Sequence, residues 1–237
     1  MGKVKYRRVI LKMSGEVLTG THRYGIDPKV MKYFAREIRD AYSLGVQIAI
    51  VVGGGNIWRG ISPFAQEVDR VTADYMGMLA TIINGLALQD SLEVIGIPTR
   101  VQSAIEIAKL AEPFIRRRAI RHLEKKRIVI FAGGTGNPYF TTDTASALRA
   151  VEIGAEIILK GTKVDGVYDK DPIKYKNAKK FDSLTFMEAI NRQLKVVDAT
   201  ALSLCWENKI PILVFNMNKP GQIRRIIRGE QIGTIIK

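Results

Sequence analysis

The stretch Ala49-Ile50-Val51-Val52-Gly53-Gly54-Gly55-Asn56-Ile57-Trp58-Arg59-Gly60 sets the type of fold that we expect. An apolar run stops at three consecutive glycines, and an arginine follows four residues later. Glycine has no Cβ, so a ligand can approach this backbone closely and its N–H groups can turn toward an anion. The guanidinium of Arg59 adds a planar fork that suits a phosphate. The stretch predicts a phosphate-binding loop at the end of a buried strand, and a plain tight turn is the alternative interpretation.

Similar apolar runs recur along the chain, and helical patterns lie between them. The runs are short, rich in Val and Ile and free of polar alternation, which is typical of strands covered on both faces. They span residues 9–13, 46–52, 128–132, 157–159 and 212–215. Helices are predicted from Asp27-Pro28 to Gly45 and over residues 69–92 (as one helix or two), 115–124, 142–153, 198–207 and 222–228. Alternating strands and helices predict an α/β fold with a mainly parallel sheet and helices on both faces.

The length of 237 residues and the hydrophobic content of 46% suit one large globular domain. We predict a single domain with two lobes, over about residues 1–155 and 156–237, that share one continuous sheet. Residues 164–182 are polar and contain five lysines, so we expect a surface excursion there.

The chain is basic, with 37 Lys and Arg against 23 Asp and Glu and a formal net charge of +14. Such a charge suits an anionic partner. Much of the excess lies in residues 116–127, where we expect a solvated helix face, because no nucleic-acid-binding motif accompanies it. The chain shows no uninterrupted apolar run near the ~20 residues of a membrane span, and the apolar run behind the basic N-terminus is too short for a signal peptide. With Cys205 as the only cysteine, these features predict a cytoplasmic protein without a membrane partner. The charge permits nucleic-acid binding but does not argue for it.

Glycine-rich loops follow four of the predicted strands. They are Lys12-Met13-Ser14-Gly15, residues 53–59, residues 133–143 and residues 160–168. In a parallel sheet these loops meet at one edge, where ligands bind. Four such loops, three with a cation, predict a large anionic ligand.

The residue types in these loops favour phosphoryl transfer. His22 and His122 are the only histidines, and no hydrolytic triad or zinc-ligand spacing includes them. Phosphoryl transfer needs positioning and positive charge instead, and Lys12 and Lys160 each close a strand. The helix that begins near Thr142 offers free N–H groups to a phosphate. Asp143 lies in the first turn of this helix. It is either a helix cap or a ligand of substrate or metal, and the interpretation as a cap is favoured.

Together these motifs make the chain similar to the bacterial-type UMP kinases of the amino-acid kinase superfamily. The triple-glycine loop of residues 53–59, called the glycine loop below, and Lys163-Val164-Asp165-Gly166-Val167 are motifs of the wider superfamily. The loop Thr135-Gly136-Asn137-Pro138-Tyr139-Phe140-Thr141-Thr142-Asp143 and the tail Phe215-Asn216-Met217-Asn218-Lys219-Pro220-Gly221 are more specific to the UMP kinases. The resemblance runs nearly from end to end.

The resemblance implies an αβα sandwich and transfer of the ATP γ-phosphoryl group to UMP with nucleotide-bound Mg²⁺. It also implies a homohexamer, a role in de novo pyrimidine nucleotide synthesis, inhibition by UTP and often activation by GTP.

Site residues carried over by position fall into four groups. The catalytic group is Lys12, Lys160 and Asp198, with Asp198 as the carboxylate that orients the lysines. The ATP-binding group is Lys12, Met13, Ser14, Gly15, Gly55, Arg59, Thr162, Tyr168 and Asp171. The UMP-binding group is Gly54, Asp74, Thr135, Gly136, Asn137, Pro138, Tyr139, Phe140, Thr141 and Thr142. The effector group is Gly20, Thr21, His22, Arg23, Tyr24, Gly25, Arg100 and Arg127.

The expected mechanism is in-line transfer between two nucleotides, with Gly54 facing the acceptor and Gly55 the donor. A side chain at either glycine is expected to impair transfer more than folding. Three alternatives are a superfamily kinase for a carboxylate or carbamate acceptor, a basic nucleic-acid-binding module and a dinucleotide-dependent oxidoreductase. The long 135–142 loop argues against the first of these, and the missing G-x-G-x-x-G spacing against the last.

Overall fold

One mainly parallel sheet organises the protein. The computed structural model describes residues 4–59, 67–194 and 196–237. Within these ranges nine strands form a sheet in the order β4-β3-β5-β2-β1-β6-β8-β9-β7. The strands are β1 (Arg8–Met13), β2 (Gln47–Val52), β3 (Thr99–Ser103), β4 (Glu112–Pro113), β5 (Ile128–Ala132), β6 (Ile157–Thr162), β7 (Ser183–Leu184), β8 (Ile212–Asn216) and β9 (Thr234–Ile236). Only the β8–β9 pair among them is antiparallel.

Helices cover both faces of this sheet. They are α1 (Pro28–Tyr42), α2 (Arg70–Val94), α3 (Arg116–Glu124), α4 (Thr142–Ile153), α5 (Phe186–Asn191), α6 (Ala199–Glu207) and α7 (Gln222–Ile227). A short 3-10 helix, Gly15–Thr19, follows β1. The prediction for residues 69–92 left one helix or two open, and the structure has one.

Two hydrophobic cores lie on opposite faces of the sheet, because successive strand residues point to opposite sides. Val9, Leu11 and Met13 of β1 pack with α1, α2 and α7. Ile10 packs with α3, α4, α5 and α6 on the other face. This arrangement confirms the predicted three-layer αβα sandwich. One sheet spans both halves of the chain, and the division into two lobes stays a prediction.

Helix starts follow the capping residues. Asp27 Oδ1 accepts the Lys29 N–H at 2.8 Å, and Pro28 opens α1, where its missing N–H has no cost. Asp69 Oδ2 accepts the Val71 and Thr72 N–H groups at 3.0 and 3.1 Å, which fixes the start of α2.

Among the described helices, α2 is the one long and apolar enough to cross a bilayer by length and composition, although it contains no uninterrupted apolar run of that length. Leu88 and Leu92 are fully buried in the first core, so this helix is part of the packed fold.

Two other predictions match the structure. Residues 164–182 form no helix or named strand, and connect β6 to β7. The cations of α3, among them Arg117, Arg118 and Arg121, are exposed. Cys205 is fully buried, and burial, with the nearby charges of Asp198 and Asp143, raises the pKa of its thiol to about 12.

Candidate active site

Strand register brings two lysines together. Lys12 of β1 lies directly opposite Lys160 of β6 in the parallel ladder. Lys12 lies two residues after Ile10, and Lys160 two residues after Ile158, so both side chains point to the face that carries the second core. Helix α4 begins over this face. Two ammonium groups therefore meet beneath a helix N-terminus.

Asp143 joins the two ammonium groups. Its Oδ1 lies 2.9 Å from Lys12 Nζ, and its Oδ2 accepts a hydrogen bond from Lys160 Nζ. The interpretation of Asp143 as the helix cap was wrong: Thr141 is the N-cap, and its hydroxyl accepts the Asp143 and Thr144 N–H groups. Because the Thr141 side chain caps the helix, the carboxylate of Asp143 is free to turn toward the strands.

Burial and the neighbouring charges shift the pKa values of Asp143 and Lys160. Burial alone would raise the pKa of Asp143, but the charges of Lys12 and Lys160 outweigh it and hold the pKa of that carboxyl below its usual range. Burial, followed by the repulsion of Lys12, lowers the pKa of Lys160 to about 8 despite the attraction of Asp143. Lys160 also donates to the Val196 carbonyl.

Asp198 contacts the helix start rather than the lysines. Its carboxylate accepts hydrogen bonds from the Thr141 hydroxyl and, at 3.0 Å, from the Thr144 hydroxyl. It also caps α6 by accepting the Ala201 N–H at 2.8 Å. Among the ion pairs of the described residues, the carboxylate that contacts both lysines is Asp143. Asp198 thus makes no ion pair with either lysine in the described part of the chain, and its predicted orienting and catalytic role, which would act at longer range, stays a prediction.

A cavity of about 640 Å³ lies beside this cluster. The glycine loop, α2 and the loop before α4 form its walls. Its lining includes Gly54, Gly55, Trp58, Arg70, Asp74, Gly77, Met78, Thr81, Gly134, Thr135, Phe140, Thr141 and Thr142. Thr142 directly precedes Asp143, so the cavity and the lysine cluster adjoin.

The loop of residues 135–142, which was predicted to contact UMP, closes one side of this cavity and is bound to Asp74 of α2. Asp74 Oδ2 accepts the Tyr139 N–H at 2.7 Å and the Arg70 Nε–H at 2.9 Å, and Arg70 lies over the Tyr139 ring. Tyr139 has a φ of 71°, which costs a non-glycine residue roughly 1–2 kcal/mol. Of the predicted UMP-binding residues, six line the cavity and four do not. The four are Gly136, Asn137, Pro138 and Tyr139.

Gly54 and Gly55 differ in their surroundings. A Cβ on Gly54 would lie 2.8 Å from the Gly77 carbonyl oxygen and 2.9 Å from Ala80 Cβ. A Cβ on Gly55 would meet only Glu16 Cγ, at an ordinary 3.6 Å. Gly54 thus allows α2 to pack against the loop. A side chain at Gly54 is therefore expected to affect folding as well as transfer, and the expectation that transfer suffers more at either glycine stays a prediction.

We expect Gly54→Ala to lower the free energy of unfolding by about 1–3 kcal/mol, because the added methyl group overpacks the contact with α2. Gly55→Ala is the matched control and should stay within about 0.5 kcal/mol of the wild type. Thermal and urea unfolding measure both. Equal losses of stability in the two variants would contradict this account of the loop.

The predicted donor-side residues lie at the carboxyl ends of β1 and β6. Met13 is buried at the end of β1, and Ser14 caps the 3-10 helix by accepting the Glu16 N–H at 3.4 Å. Gly15 packs against the glycine loop. Arg59 Nε donates to the Gly55 carbonyl at 3.0 Å, and its Nη2 lies 3.6 Å from Glu16 Oε1. Gly60, the last residue of the motif, lies outside the described residues.

Thr162, Tyr168 and Asp171 extend the donor side beyond β6. Thr162 Oγ1 donates to the Val164 carbonyl at 2.8 Å, Tyr168 pairs with Lys180 in an isolated bridge, and Asp171 accepts the Ile173 N–H at 2.9 Å. Their assignment to ATP stays a prediction.

The predicted effector residues lie in two places. The segment Gly20-Thr21-His22-Arg23-Tyr24-Gly25 is mostly exposed, and His22 lies 3.9 Å from Asp27. Arg100 pairs with Glu93 at 3.2 Å, and Arg127 Nη1 contacts His122 Nδ1 at 3.1 Å. Their effector role stays a prediction.

Several residues of the site were not predicted from the sequence. Arg70, Gly77 and Thr81 line the cavity from α2, and Thr81 Oγ1 accepts the Gly133 N–H at 2.8 Å. Their recurrence at helical spacing with Asp74 placed them on one face of α2, but only the packing of α2 against the loops shows that this face meets a cavity.

Comparisons with known proteins show the family and the fold of the chain. A model of the amino acid kinase family matches residues 7–216. The structure is similar to that of a UMP kinase from Bacillus anthracis, with a TM-score of 0.94 and 40% identity over 98% of this chain and 96% of that one. A UMP kinase from Ureaplasma parvum gives a TM-score of 0.91 and 42% identity over 98% and 99% of the two chains. A uridylate kinase from Archaeoglobus fulgidus gives 0.75 and 28% over 97% and 99%.

Proposed function

The chain belongs to the amino acid kinase family, and from this premise we propose that it is a UMP kinase, which transfers the γ-phosphoryl group of ATP to UMP to give UDP and ADP. The convergence of Lys12 and Lys160 on Asp143, next to a cavity lined by Asp74 and the 134–142 loop, is the observation that carries the proposal. The similarity to two UMP kinases at 40% and 42% identity supports the choice of acceptor.

The lysines supply the positive charge that the transfer needs. In the transition state, charge spreads over the equatorial oxygens of the moving phosphoryl group, so fixed cations stabilise it more than the ground state. Lys12 and Lys160 lie on adjacent strands of a rigid sheet, and Asp143 holds both ammonium groups in place. The N-terminus of α4 lies at the same region, so the positive end of its dipole favours a phosphate there, although the Asp143 and Thr144 N–H groups are already bound by the Thr141 hydroxyl.

The acceptor is proposed to occupy the cavity. Asp74 and the walls from α2 and the 135–142 loop would hold the ribose and base of UMP, with its phosphate directed toward the lysines. ATP is proposed to lie over the ends of β1 and β6, on Ser14, Gly15, Gly55 and Thr162, so the two phosphate chains meet over the glycine loop.

Mg²⁺ is proposed to be bound by the nucleotide phosphates. Among the described residues, no group of three His, Cys, Asp or Glu side chains is placed to hold a metal ion. Magnesium usually binds through phosphates and waters with few protein ligands. When bound there it would neutralise part of the phosphate charge.

Turnover of alternative acceptors tests the proposal directly. Purified protein with ATP and Mg²⁺ should phosphorylate UMP, and should leave glutamate and carbamate unchanged. The rate with CMP, compared with the rate with UMP, shows how strictly the cavity selects uracil over cytosine. Absence of UDP formation from UMP would overturn the proposal, and turnover of glutamate or carbamate instead would favour the carboxylate and carbamate kinases of the family.

Asp74→Asn should raise the KM for UMP more than it lowers kcat. The substitution removes the charge and one acceptor oxygen from the wall that contacts UMP, while the lysine cluster is untouched. Such a contact contributes to binding in the ground state and the transition state alike. Steady-state kinetics with varied UMP at saturating ATP measure the change, and a loss confined to kcat would contradict the ribose-binding role.

The pH dependence of kcat/KM should reflect the loss of the proton from the Lys160 ammonium group. Its lowered pKa of about 8 predicts that kcat/KM falls as pH rises through about 8, because the ammonium loses its charge. Stability should change in the opposite direction. From pH 8 to about 10.4, the ordinary lysine pKa, the unfolded state binds more protons than the native state, so the free energy of unfolding rises with pH. A profile that is flat up to pH 10 would contradict this assignment.

The 20–25 segment, Arg100 and Arg127 are the proposed positions for regulation by nucleotides. UTP is proposed to inhibit and GTP to activate, through the 20–25 segment, Arg100 and Arg127, in a cytoplasmic enzyme of pyrimidine nucleotide synthesis. The support is the resemblance of these positions to the UMP kinases. Initial rates with and without each nucleotide test both effects.

A homo-oligomer is proposed through α2. Tyr75, Leu79 and Ile83 recur at a spacing of four residues and are 43%, 47% and 50% exposed, so they form an apolar stripe that a second copy could cover. The hexamer implied by the resemblance would be built from such pairs. Light scattering measures the mass, and a monomer at micromolar concentration would overturn this part.

A further inference from the structure

A buried pair of asparagine side chains lies beneath the glycine loop. Asn56 follows the three glycines of the loop and Asn84 lies in the middle of α2, and the two are 1% and 0% exposed. Asn56 Nδ2 donates to Asn84 Oδ1 at 2.9 Å, and Asn84 Nδ2 donates to Asn56 Oδ1 at 2.7 Å. The two amides thus form a reciprocal pair.

The remaining donors of this pair bind backbone carbonyls. Asn84 Nδ2 donates to the Gly53 carbonyl at 2.7 Å, and Asn56 Nδ2 donates to the Gly25 carbonyl at 3.0 Å. Each amide nitrogen carries two hydrogens, so all four donors are used. The Gly25 N–H in turn donates to the Asn56 carbonyl at 2.8 Å. A buried polar network with every donor satisfied favours one geometry.

The chain after β1 packs on the same network. A Cβ on Gly15 would lie 2.6 Å from Asn56 Oδ1 and 2.6 Å from the Gly53 carbonyl oxygen. Four segments therefore meet at the amide pair: the start of the 3-10 helix, the end of the 20–25 segment, the glycine loop and α2. Helix α2 also carries Asp74 into the cavity.

We propose that the Asn56–Asn84 pair positions the glycine loop for phosphoryl transfer by fixing the donor-side segments to α2, the acceptor-side helix. The inference rests on the proposed function. Neither asparagine is among the residues that line the cavity, so both act through the loop. Transfer requires the two phosphate chains to be aligned closely, and a displacement of about 1 Å can lower a rate by about 100-fold.

Asn56→Ala, Asn84→Ala and the double variant test the pair. Each single substitution should lower kcat by about 10- to 100-fold with a smaller change in either KM, because the loop is displaced while the binding residues remain. The double variant should lose little more than the worse single variant, since groups that act as a unit are not additive.

Thr99→Val is the matched control for buried hydrogen bonding. Thr99 is fully buried at the start of β3, and its hydroxyl donates to the Ile97 carbonyl at 3.0 Å. This variant should lower Tm and leave kcat unchanged. If the asparagine variants also lower Tm alone, with wild-type kcat, the pair is only structural and the proposal is wrong.

Hydrogen exchange without nucleotides separates this inference from the proposed function. The peptide that covers residues 53–59 should exchange faster in both asparagine variants and at the wild-type rate in Thr99→Val. Failure of the wild type to phosphorylate UMP would contradict the proposed function, while the exchange would still show whether the pair fixes the loop. Unchanged exchange in this peptide overturns the positioning role.

Discussion

Lys12→Ala and Lys160→Ala should each lower kcat for UMP phosphorylation by at least about 100-fold, in line with the loss of one transition-state charge contact. Both ammonium groups contact Asp143, at 2.9 Å for Lys12, and they reach the same point from adjacent strands. Because the lost contact forms mainly in the transition state, kcat and kcat/KM should fall together. Steady-state and single-turnover kinetics measure the loss.

Further variants separate charge from packing. Lys12→Met and Lys160→Met keep most of the apolar volume and should lose as much activity as the alanine variants. Lys32→Ala, which removes an exposed lysine of α1, should keep wild-type activity. Because Lys12 lowers the pKa of Lys160, Lys12→Ala should also move the alkaline limb of the remaining activity to higher pH. Wild-type kcat in either lysine-to-methionine variant would refute the charge role.

The sequence predicted the centre of the sheet better than its edges. The strands β1, β2, β5, β6 and β8 are buried on both faces, so their apolar runs mark them directly. Four strands were missed. Strand β3, Thr99-Arg100-Val101-Gln102-Ser103, is polar for most of its length, and β4 and β7 have two residues each. Pairing with neighbours, which a local pattern does not contain, makes these segments strands.

Helix α5 and β9 were missed for a different reason. Thr185 and Glu188 form a capping box at the start of α5, and this T-x-x-E spacing is present in the sequence. The helix has only six residues and buries only Phe186 and Ala189, so it shows little apolar periodicity. Strand β9 has three residues and pairs antiparallel to β8, which the alternating α/β pattern does not predict.

The positions of the site residues were likewise predicted only in part. Lys12 and Lys160 lie near the carboxyl ends of their strands and the glycine loop follows β2, so the parallel-sheet rule predicted that they would meet at one edge. The partner of the lysines depends on the rotation of α4 about its own axis. Thr141, Asp143 and Asp198 are all polar residues at helix starts. Their pattern does not show which carboxylate turns toward the strands, and this is why Asp143 was interpreted as a cap.

Asp143→Asn should lower kcat by at least about 100-fold and the free energy of unfolding by about 3 kcal/mol. Its carboxylate is the counter-charge of two nearly buried ammonium groups, and removal of one partner of a buried ion pair leaves uncompensated charge. Without this anion the pKa of Lys160 should fall further below 8, so the activity that remains should be lost at lower pH than in the wild type. Kinetics from pH 6 to 9 and urea unfolding measure both effects.

Asp198→Asn is the control that decides which carboxylate orients the lysines. Asp198 binds Thr141, Thr144 and the start of α6, and it contributes less than Asp143 to the pKa of Lys160. Its amide variant should lose about 1 kcal/mol of stability through the weakened cap and should shift the alkaline limb less than Asp143→Asn does. If Asp198→Asn gives the larger shift and the larger loss of kcat, the direct contact seen at Asp143 does not set the charge state of the lysines. Asp198 would then hold the orienting role that its position in the motif implies.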